Sequence, residues 1–206
     1  MTQALIEQIN DPHTAPDARV AALRKYVDEG AELGEFTPES NNHIHTIYSF
    51  SPYTPAMACL KGRESGLQVV GSVDHDSIGA AAEMRDAGAI LGMGVVTGFE
   101  IRVTLHTPEQ VASGDAPFAD RKLNNPDSAG VAYMTVQGIP ADARAQVEEF
   151  LRPVRERRLE RTRRMAAAAN QILEDLDAPT FDFERDVIGI SQFASAGTVT
   201  ERHLLY

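Results

Sequence analysis

The stretch "NNHIHTIYSFSP", residues 41–52, places two of the six histidines of the chain, His43 and His45, one residue apart in a short apolar run. The segment "HIHTIY" predicts a β-strand, and side chains at positions i and i+2 of a strand point to the same face. Both imidazoles could therefore reach one ion, and imidazole suits zinc, manganese, iron or nickel. The pair alone is weak evidence, because two exposed or capped histidines beside an ordinary strand fit it about equally well.

Two later apolar runs also end in side chains that can bind metals. "LQVVGSVDH" predicts a second strand that leads into Asp74 and His75, and "GMGVVTGFEIRV" predicts a third strand that carries Glu100 near its end. The segments "TPAMACLKGRESG" and "SIGAAAEMRDAG" between them have helical patterns, so we expect an α/β fold with a parallel sheet, either open or closed into a barrel. The carboxyl ends of parallel strands share one face, where active sites are commonly built. The sequence therefore predicts a metal site at this face.

The segments on either side of these runs define the predicted domain organisation. Residues 16–30, "PDARVAALRKYVDEG", predict a helix, and residues 1–38 are interpreted as an N-terminal helical extension packed on a main domain, residues 39–206. Residues 106–130 are rich in Pro, Gly, Asp and Asn and predict a long loop or insertion, after which "VAYMTVQGIP" predicts a further strand.

A long helix is predicted over roughly residues 141–176, and Pro153 is expected to break or kink it. The helix carries an arginine cluster that could form a phosphate or nucleic-acid surface. The alternative is a solvated helix whose arginines pair with Glu156 and Glu160, from which one inward-facing arginine could still reach a substrate phosphate. We favour the solvated helix because the net charge is negative. The cluster comprises Arg152, Arg155, Arg157, Arg158, Arg161, Arg163 and Arg164.

Composition narrows the class of protein. The chain has 206 residues, 43% of them hydrophobic, which suits one globular domain with a substantial core. Its net charge of -11 opposes binding to nucleic acid or to anionic membranes. Cys59 is the single cysteine, so no intramolecular disulfide can form, and neither a signal peptide nor an apolar run of membrane-spanning length is evident. We expect a cytoplasmic protein with no membrane partner, for which nucleic acid is a poor candidate ligand; the oligomeric state stays open.

At the level of motifs, the chain resembles the polymerase and histidinol phosphatase (PHP) family of metal-dependent phosphoesterases. "HIHTIYS", "VDHDSIGAAAEM" and "VTGFEI" resemble its first three motifs in order and spacing, and a weaker likeness runs from "RERRLERTRRMAAAANQIL" to "TVTERHLLY". The resemblance implies a distorted (β/α)7 TIM-like barrel with two or three divalent metal ions, which would be Mn, Zn or Fe. It also implies hydrolysis of a phosphoester of a small phosphorylated molecule through a metal-bound hydroxide.

The resemblance implies roles for individual residues as well. Glu100 would bridge two ions, Asp74 would be a ligand or would orient an imidazole, and Asp74 and His75 would be catalytic. Arg202 and His203 in "TERH" would contact substrate, although an ordinary amphipathic helix explains that segment equally well. The implied metal ligands are His43, His45, Asp74, His75 and Glu100.

The chain also departs from the family pattern. The family usually has an aspartate ligand shortly after the histidine pair, where this sequence has Phe50. A phenylalanine cannot bind a metal, so Asp76 or another group would have to substitute. The last ligands of the family, on its closing strands, find no counterpart before residue 206, so we expect a barrel that is incomplete at the C-terminus. These departures leave open a catalytically degenerate PHP-like module with a structural or partner-binding role.

Overall fold

A computed structural model describes residues 2–125 and 128–205. The described residues form four strands, six α-helices and several short turns of 3-10 or π-helix. The strands are β1 Ser40–Ile44, β2 Val69–Ser72, β3 Gly94–Thr104 and β4 Val131–Gln137. The α-helices are α1 Thr2–Ile9, α2 Pro16–Asp28, α3 Pro55–Glu64, α4 Ala81–Leu91, α5 Pro108–Ser113 and α6 Arg144–Asp175.

The strands form one sheet in the order β1-β2-β3-β4. Strands β1, β2 and β3 are parallel, as the alternation of strands and helices predicts. Strand β4 pairs antiparallel with β3, an orientation that the sequence did not predict. The segment between β3 and β4 turns back along β3 instead of crossing the sheet, which reverses the direction of β4. The side chain of Gln137 on β4 donates a hydrogen bond to the backbone oxygen of Asn42 on β1, at 3.0 Å, so the sheet is curled into a half-barrel.

Helix α3 begins where its sequence predicts, whereas α4 begins four residues after Ser77 and ends three residues after Gly88, the bounds of the segment predicted to be helical. The Thr54 side chain accepts a hydrogen bond from the Met57 backbone N–H, and Pro55 occupies the first turn of α3. Helix α4 ends at Gly92, whose φ of 68° is accessible to glycine at little cost. Both helices pack with α1 and α2 in one apolar core, whose fully buried members include Ile9, Leu23, Leu60, Val70 and Met84.

A buried ion pair connects helix α2 to helix α4 of this core. The guanidinium of Arg19 on α2 donates to both carboxylate oxygens of Glu83 on α4, with distances of 2.9 and 2.5 Å. The same carboxylate accepts the Ala56 backbone N–H at the start of α3. Three helices therefore meet at one carboxylate, and α2 is part of the same packed unit as α3 and α4.

Two expectations about the second half of the chain were wrong in detail. The segment predicted as a loop contains α5, because Thr107 and Gln110 form a capping box with Pro108 in the first turn; residues 126 and 127 of that segment lie outside the described residues. Helix α6 continues through Pro153, so the break was wrong, and the alternative of a kink stays a prediction. Pro153 and Glu149 are both exposed, so water can solvate the carbonyl group that loses its helical partner. No helix in the described part of the chain has the length and apolar character needed to cross a bilayer.

Candidate metal centre

The predicted ligands converge where the parallel strands end. His45 follows the last residue of β1, and Asp74 and His75 follow β2. Glu100 lies in the middle of β3, yet it stands just beyond the parallel pairing with β2, which ends at Ser72 and Thr97. The Glu100 backbone N–H donates to the Asp74 carbonyl at 3.1 Å, which extends the pairing and places His75 beside Glu100.

Three imidazoles surround the Glu100 carboxylate. His43 Nε2 lies 3.6 Å from Oε1, His45 Nε2 lies 3.7 Å from Oε2, and His75 Nδ1 lies 3.1 Å from Oε2. The ring centroids of His43 and His45 are 5.3 Å apart, and those of His45 and His75 are 4.7 Å apart. The two carboxylate oxygens thus face different histidines, which is the arrangement expected of a carboxylate that bridges two ions.

The distance of 3.1 Å between His75 Nδ1 and Glu100 Oε2 fits a metal ion as a shared partner, and the distances of 3.6 and 3.7 Å to His43 and His45 are a few tenths of an ångström longer than one ion requires. Two ligand atoms that are each about 2.1 Å from one ion lie about 3.0 to 3.4 Å apart at right or tetrahedral angles. His43, His45 and Glu100 offer ligand atoms that all lie within 4.8 Å of one another. His75 Nδ1 is buried and forms no hydrogen bond within the described residues, although Glu100 Oε2 is close to it. A buried nitrogen of this kind is costly without a partner, and a cation between it and the carboxylate would supply one.

Asp74 orients the His45 imidazole through the Ser49 hydroxyl, which contacts both side chains. Its carboxylate accepts hydrogen bonds from the backbone N–H of Thr46 at 2.6 Å and from the Thr46 and Ser49 hydroxyls, each at 2.7 Å. Because the Ser49 proton is donated to Asp74, the Ser49 oxygen accepts from His45 Nδ1, 3.2 Å away. That hydrogen bond places the proton of the neutral ring on Nδ1 and leaves the Nε2 lone pair directed at the Glu100 site.

Burial keeps the imidazoles of His45 and His75 uncharged, as metal binding requires. Desolvation is the main reason that the pKa of His75 falls to about 3, and the charges of Arg158 and Arg202 act in the same direction. Desolvation also lowers the pKa of His45, although the charge of Glu100 opposes this effect. The pKa of Asp74 is raised by its complete burial, against the hydrogen bonds from Thr46 and Ser49.

A polar cavity of about 370 Å³ opens over the site. His45, His75, Glu100 and Arg202 line it, and the contact of Arg202 with substrate stays a prediction. His203 is buried and does not appear among the described residues that line this cavity; it lines a neighbouring one. Its Nδ1 accepts a hydrogen bond from the Thr200 backbone N–H at 3.0 Å. The remaining lining residues are Tyr133, Arg158, Thr200 and Glu201.

The arginines of α6 do not all lie on a solvated face, so that interpretation is wrong for two of them. Arg155 and Arg158 are buried, and Arg158 Nε donates to Asp76 Oδ2 at 2.6 Å. Asp76, a possible substitute for a ligand at position 50, is therefore engaged in an ion pair. Its φ of 53° lies in the left-handed region, which aspartate tolerates better than most residues.

Glu201, which also lines the cavity, contacts three arginines. Its carboxylate lies 2.8 Å from Arg102, 3.2 Å from Arg161 and 3.7 Å from Arg158. Burial alone would raise the pKa of Glu201, but a backbone hydrogen bond and the three guanidinium groups bring it below its usual value. Of the arginines near the cavity, Arg158 and Arg202 line it, and their guanidinium groups can bind an anionic group.

Sequence reasoning missed Ser49, Thr46 and Glu201. Ser49 and Thr46 lie directly after the histidine pair, and short polar side chains next to a predicted ligand are the signal that could have identified them as its supporting groups. Glu201 meets its three arginine partners across separations of 40 to 99 residues, and a single sequence carries no signal for such contacts.

Phe50, which stands where the resembled family has an aspartate, packs against His203. The two ring centroids are 4.8 Å apart and the rings are inclined at 69°. The φ of Phe50 is 88°, an uncommon conformation for a bulky residue. The position implied for a carboxylate ligand is therefore occupied by an aromatic side chain.

Comparison with known proteins shows what the fold is similar to. Neither protein-family models nor curated proteins give a match. Solved structures do match, and two of them each have a TM-score of 0.57 and 21% sequence identity. One is a candidate metal-dependent phosphoesterase from Bifidobacterium adolescentis, matched over 82% of this chain and 49% of its own. The other is an amidohydrolase from Chromobacterium violaceum with bound sulfate and no metal, matched over 81% and 49%. The chain therefore spans about half the length of these proteins and shares the fold of the matched part.

Proposed function

We propose that the protein is a metal-dependent hydrolase of the PHP type that cleaves a phosphoester of a small phosphorylated molecule. The observation that carries the proposal is the group of three imidazole nitrogens within 3.1 to 3.7 Å of the two oxygens of Glu100. Two solved structures of similar fold, one a candidate metal-dependent phosphoesterase and the other an amidohydrolase, support a hydrolase. On this proposal the half-barrel sheet corresponds to part of a distorted seven-stranded barrel.

The residues divide into ligands and a positioning group. His43, His45, His75 and Glu100 would hold two divalent ions, with Glu100 between them, and Mn, Zn and Fe all suit such a donor set. Asp74 acts through Ser49 to hold the His45 ring, because both of its oxygens are occupied by hydrogen bonds. Bound divalent ions would activate a water molecule near neutral pH and would neutralise charge on the phosphate.

The protein's own contribution to the reaction is to hold the phosphate. Arg202 and Arg158 line the same cavity as His45 and His75, where they can bind phosphate oxygens. In the overall reaction, water adds to phosphorus and the ester P–O bond breaks. The alcohol departs with a proton supplied by that water. A guanidinium held by buried ion pairs, as Arg158 is, does not need to reorganise when charge develops on the phosphate.

One observation favours a second candidate, a catalytically degenerate module that binds metal or a partner without turnover. Phe50 stands at the position of a family ligand, and its ring contact with His203 fills the space beside it. Metal binding without hydrolysis would identify this second case.

The test is hydrolysis of 4-nitrophenyl phosphate by the protein loaded with manganese, zinc or iron. Glu100→Gln removes the bridging charge while keeping the shape of the side chain, and we expect it to lower turnover at least a hundredfold. Glu109→Gln, an identical change at an exposed site on α5, is the matched control and should leave turnover unchanged. Absence of hydrolysis with all three metals, or equal turnover in the two variants, would contradict the enzymatic proposal.

A further inference from the structure

Tyr133 on β4 lines the metal cavity, although it belongs neither to the group of ligands nor to the two arginines assigned to the phosphate. Tyr133 stands opposite Arg102 of β3 in the antiparallel register, and Glu100 lies two residues before Arg102 on the same strand. Opposed residues of a sheet share a face, as do residues i and i+2 of one strand. The tyrosine side chain therefore projects from the face that carries the Glu100 carboxylate. Its ring centroid lies 5.6 Å from that of His75.

The backbone of Tyr133 is held in place by Asn124. The Tyr133 N–H donates to the Asn124 side-chain oxygen, and the Tyr133 carbonyl accepts from the Asn124 side-chain amide, each at 2.8 Å. Strand β4 is the last in the sheet order, and these two bonds occupy backbone groups that an edge strand would otherwise leave unpaired. The rest of the strand pairs with β3, so the base of the tyrosine side chain has a fixed position.

The Tyr133 hydroxyl is held by the guanidinium of Arg102. Arg102 Nε donates to the hydroxyl oxygen at 2.8 Å, and Arg102 Nη2 donates to Glu201 Oε1, also at 2.8 Å. A guanidinium group has donors and no acceptor, so the hydroxyl oxygen must accept in this contact. The hydroxyl proton is left for another partner, and the described residues supply no acceptor for it.

A hydroxyl of this kind suits an anion bound in the cavity. The bond from Arg102 polarises the hydroxyl and strengthens it as a donor. A hydrogen bond to a charged oxygen is stronger than one between neutral groups. Arg158 and Arg202 line the same cavity, so a phosphate held by them can accept a further hydrogen bond from Tyr133.

We propose that Tyr133 is a substrate-binding residue, whose hydroxyl donates a hydrogen bond to a non-bridging oxygen of the phosphate. The inference rests on the proposed function, since it takes the phosphate to lie in the metal cavity. No proton is transferred in this role: the hydroxyl keeps its proton and orients the phosphate together with the arginines.

The test is the affinity of the full chain for methylphosphonate, which cannot be hydrolysed, measured by isothermal titration in the presence of manganese. Tyr133→Phe removes the hydroxyl and keeps the ring beside His75. We expect it to weaken binding about tenfold or more, the range of one hydrogen bond to a charged group. Tyr53→Phe, the same change at a ring that is 40% exposed, should bind as tightly as the wild-type protein. Metal content should be equal in the three proteins, because the hydroxyl is assigned to the phosphate and not to the ions.

Equal affinity of Tyr133→Phe and the wild-type protein would overturn the assignment, since a hydroxyl that serves only Arg102 affects stability and not affinity. A lower metal content in Tyr133→Phe would also overturn it, because the hydroxyl would then support the ions. So would a wild-type protein that does not bind methylphosphonate. Because binding is measured without turnover, the inference is separable from the proposed hydrolysis: weaker binding by Tyr133→Phe in a protein that does not hydrolyse 4-nitrophenyl phosphate would keep the hydroxyl contact and refute the enzyme.

Discussion

The ion pair between Arg19 and Glu83 offers a quantitative test of how the N-terminal helices are attached. Both side chains are 2% exposed, and the guanidinium also donates to the backbone carbonyls of Thr14 and Asp11, at 2.5 and 3.3 Å. Arg19→Met removes the charge and four hydrogen bonds while keeping an unbranched apolar stem. The Glu83 carboxylate would then be buried without its counter-charge, because Ala56 N–H is its other hydrogen-bond donor.

Breaking a buried pair by removing one partner costs about 3 to 5 kcal/mol. For a chain of this size, 1 kcal/mol corresponds to about 2 to 4 °C, so we expect Tm to fall by roughly 6 to 20 °C. Urea unfolding followed by circular dichroism measures the free energy, and differential scanning calorimetry measures Tm. Arg24→Met, at an exposed site on the same helix, should change the free energy of unfolding by about 0.5 kcal/mol or less.

A double variant distinguishes this explanation from a simple loss of packing. Arg19→Met combined with Glu83→Leu removes both charges, and the combined loss should be smaller than the sum of the single losses by about 1 kcal/mol or more. The reasoning is refuted if Arg19→Met costs no more than Arg24→Met, or if the two single losses are additive.

Three further predictions concern other parts of the structure. Ser49→Ala should weaken metal binding about 10- to 100-fold at unchanged fold, because His45 loses the acceptor that fixes its tautomer; competition with a chelating dye measures the affinity. Cys59 is fully buried and its pKa is raised to about 12, so its thiol should not react with Ellman's reagent at pH 8 in the native protein and should react fully in 8 M urea. Thr54→Ala should lower the free energy of unfolding by about 1 to 2 kcal/mol, measured by urea unfolding, because α3 loses its cap and the Ile9 carbonyl loses a donor.

Each of these predictions has a control or a contradicting result. Ser113→Ala, at an exposed site on α5, should leave metal affinity unchanged, and an equal effect of the two serine changes would remove Ser49 from the site. Rapid labelling of native Cys59 at pH 8 would contradict its burial. The raised pKa also means that the thiol stabilises the fold below about pH 8.5, where it is protonated in both states, and that this contribution is lost as the pH rises further. Thr107→Ala, which removes the cap of the exposed α5, should cost less than Thr54→Ala.

Local patterns predicted the part of the fold that depends on neighbouring residues. Helix α3 has a capping threonine and a proline in its first turn, α2 begins at a proline, and α4 ends at Gly92. The second and third apolar runs contain β2 and most of β3, whereas the first strand was predicted over residues 43–48 and spans Ser40–Ile44. The convergence of His75 and Glu100 was also predictable, because parallel strands end at one face of the sheet.

The features of the fold and of the site that the sequence did not predict depend on contacts between distant segments. Pro153 was expected to break or kink a helix, and the helix is not broken. The cost of a break depends on whether the freed carbonyl meets water, which the sequence does not specify. The burial of Arg158 follows from Asp76 and Glu201, which lie 82 and 43 residues away along the chain. The antiparallel direction of β4 follows from the path of a long connecting segment, whose composition indicates a loop and does not indicate its direction.

The central claim is that the group around Glu100 binds transition-metal ions, and metal content tests it most directly. The protein is purified without chelator, dialysed against manganese or zinc, passed through a desalting column and analysed by inductively coupled plasma mass spectrometry. We predict at least one ion per chain in the wild-type protein and in Glu109→Gln, and well under one ion per chain in Glu100→Gln. Less than one ion per chain in the wild-type protein, or an equal metal content in Glu100→Gln, would contradict the claim.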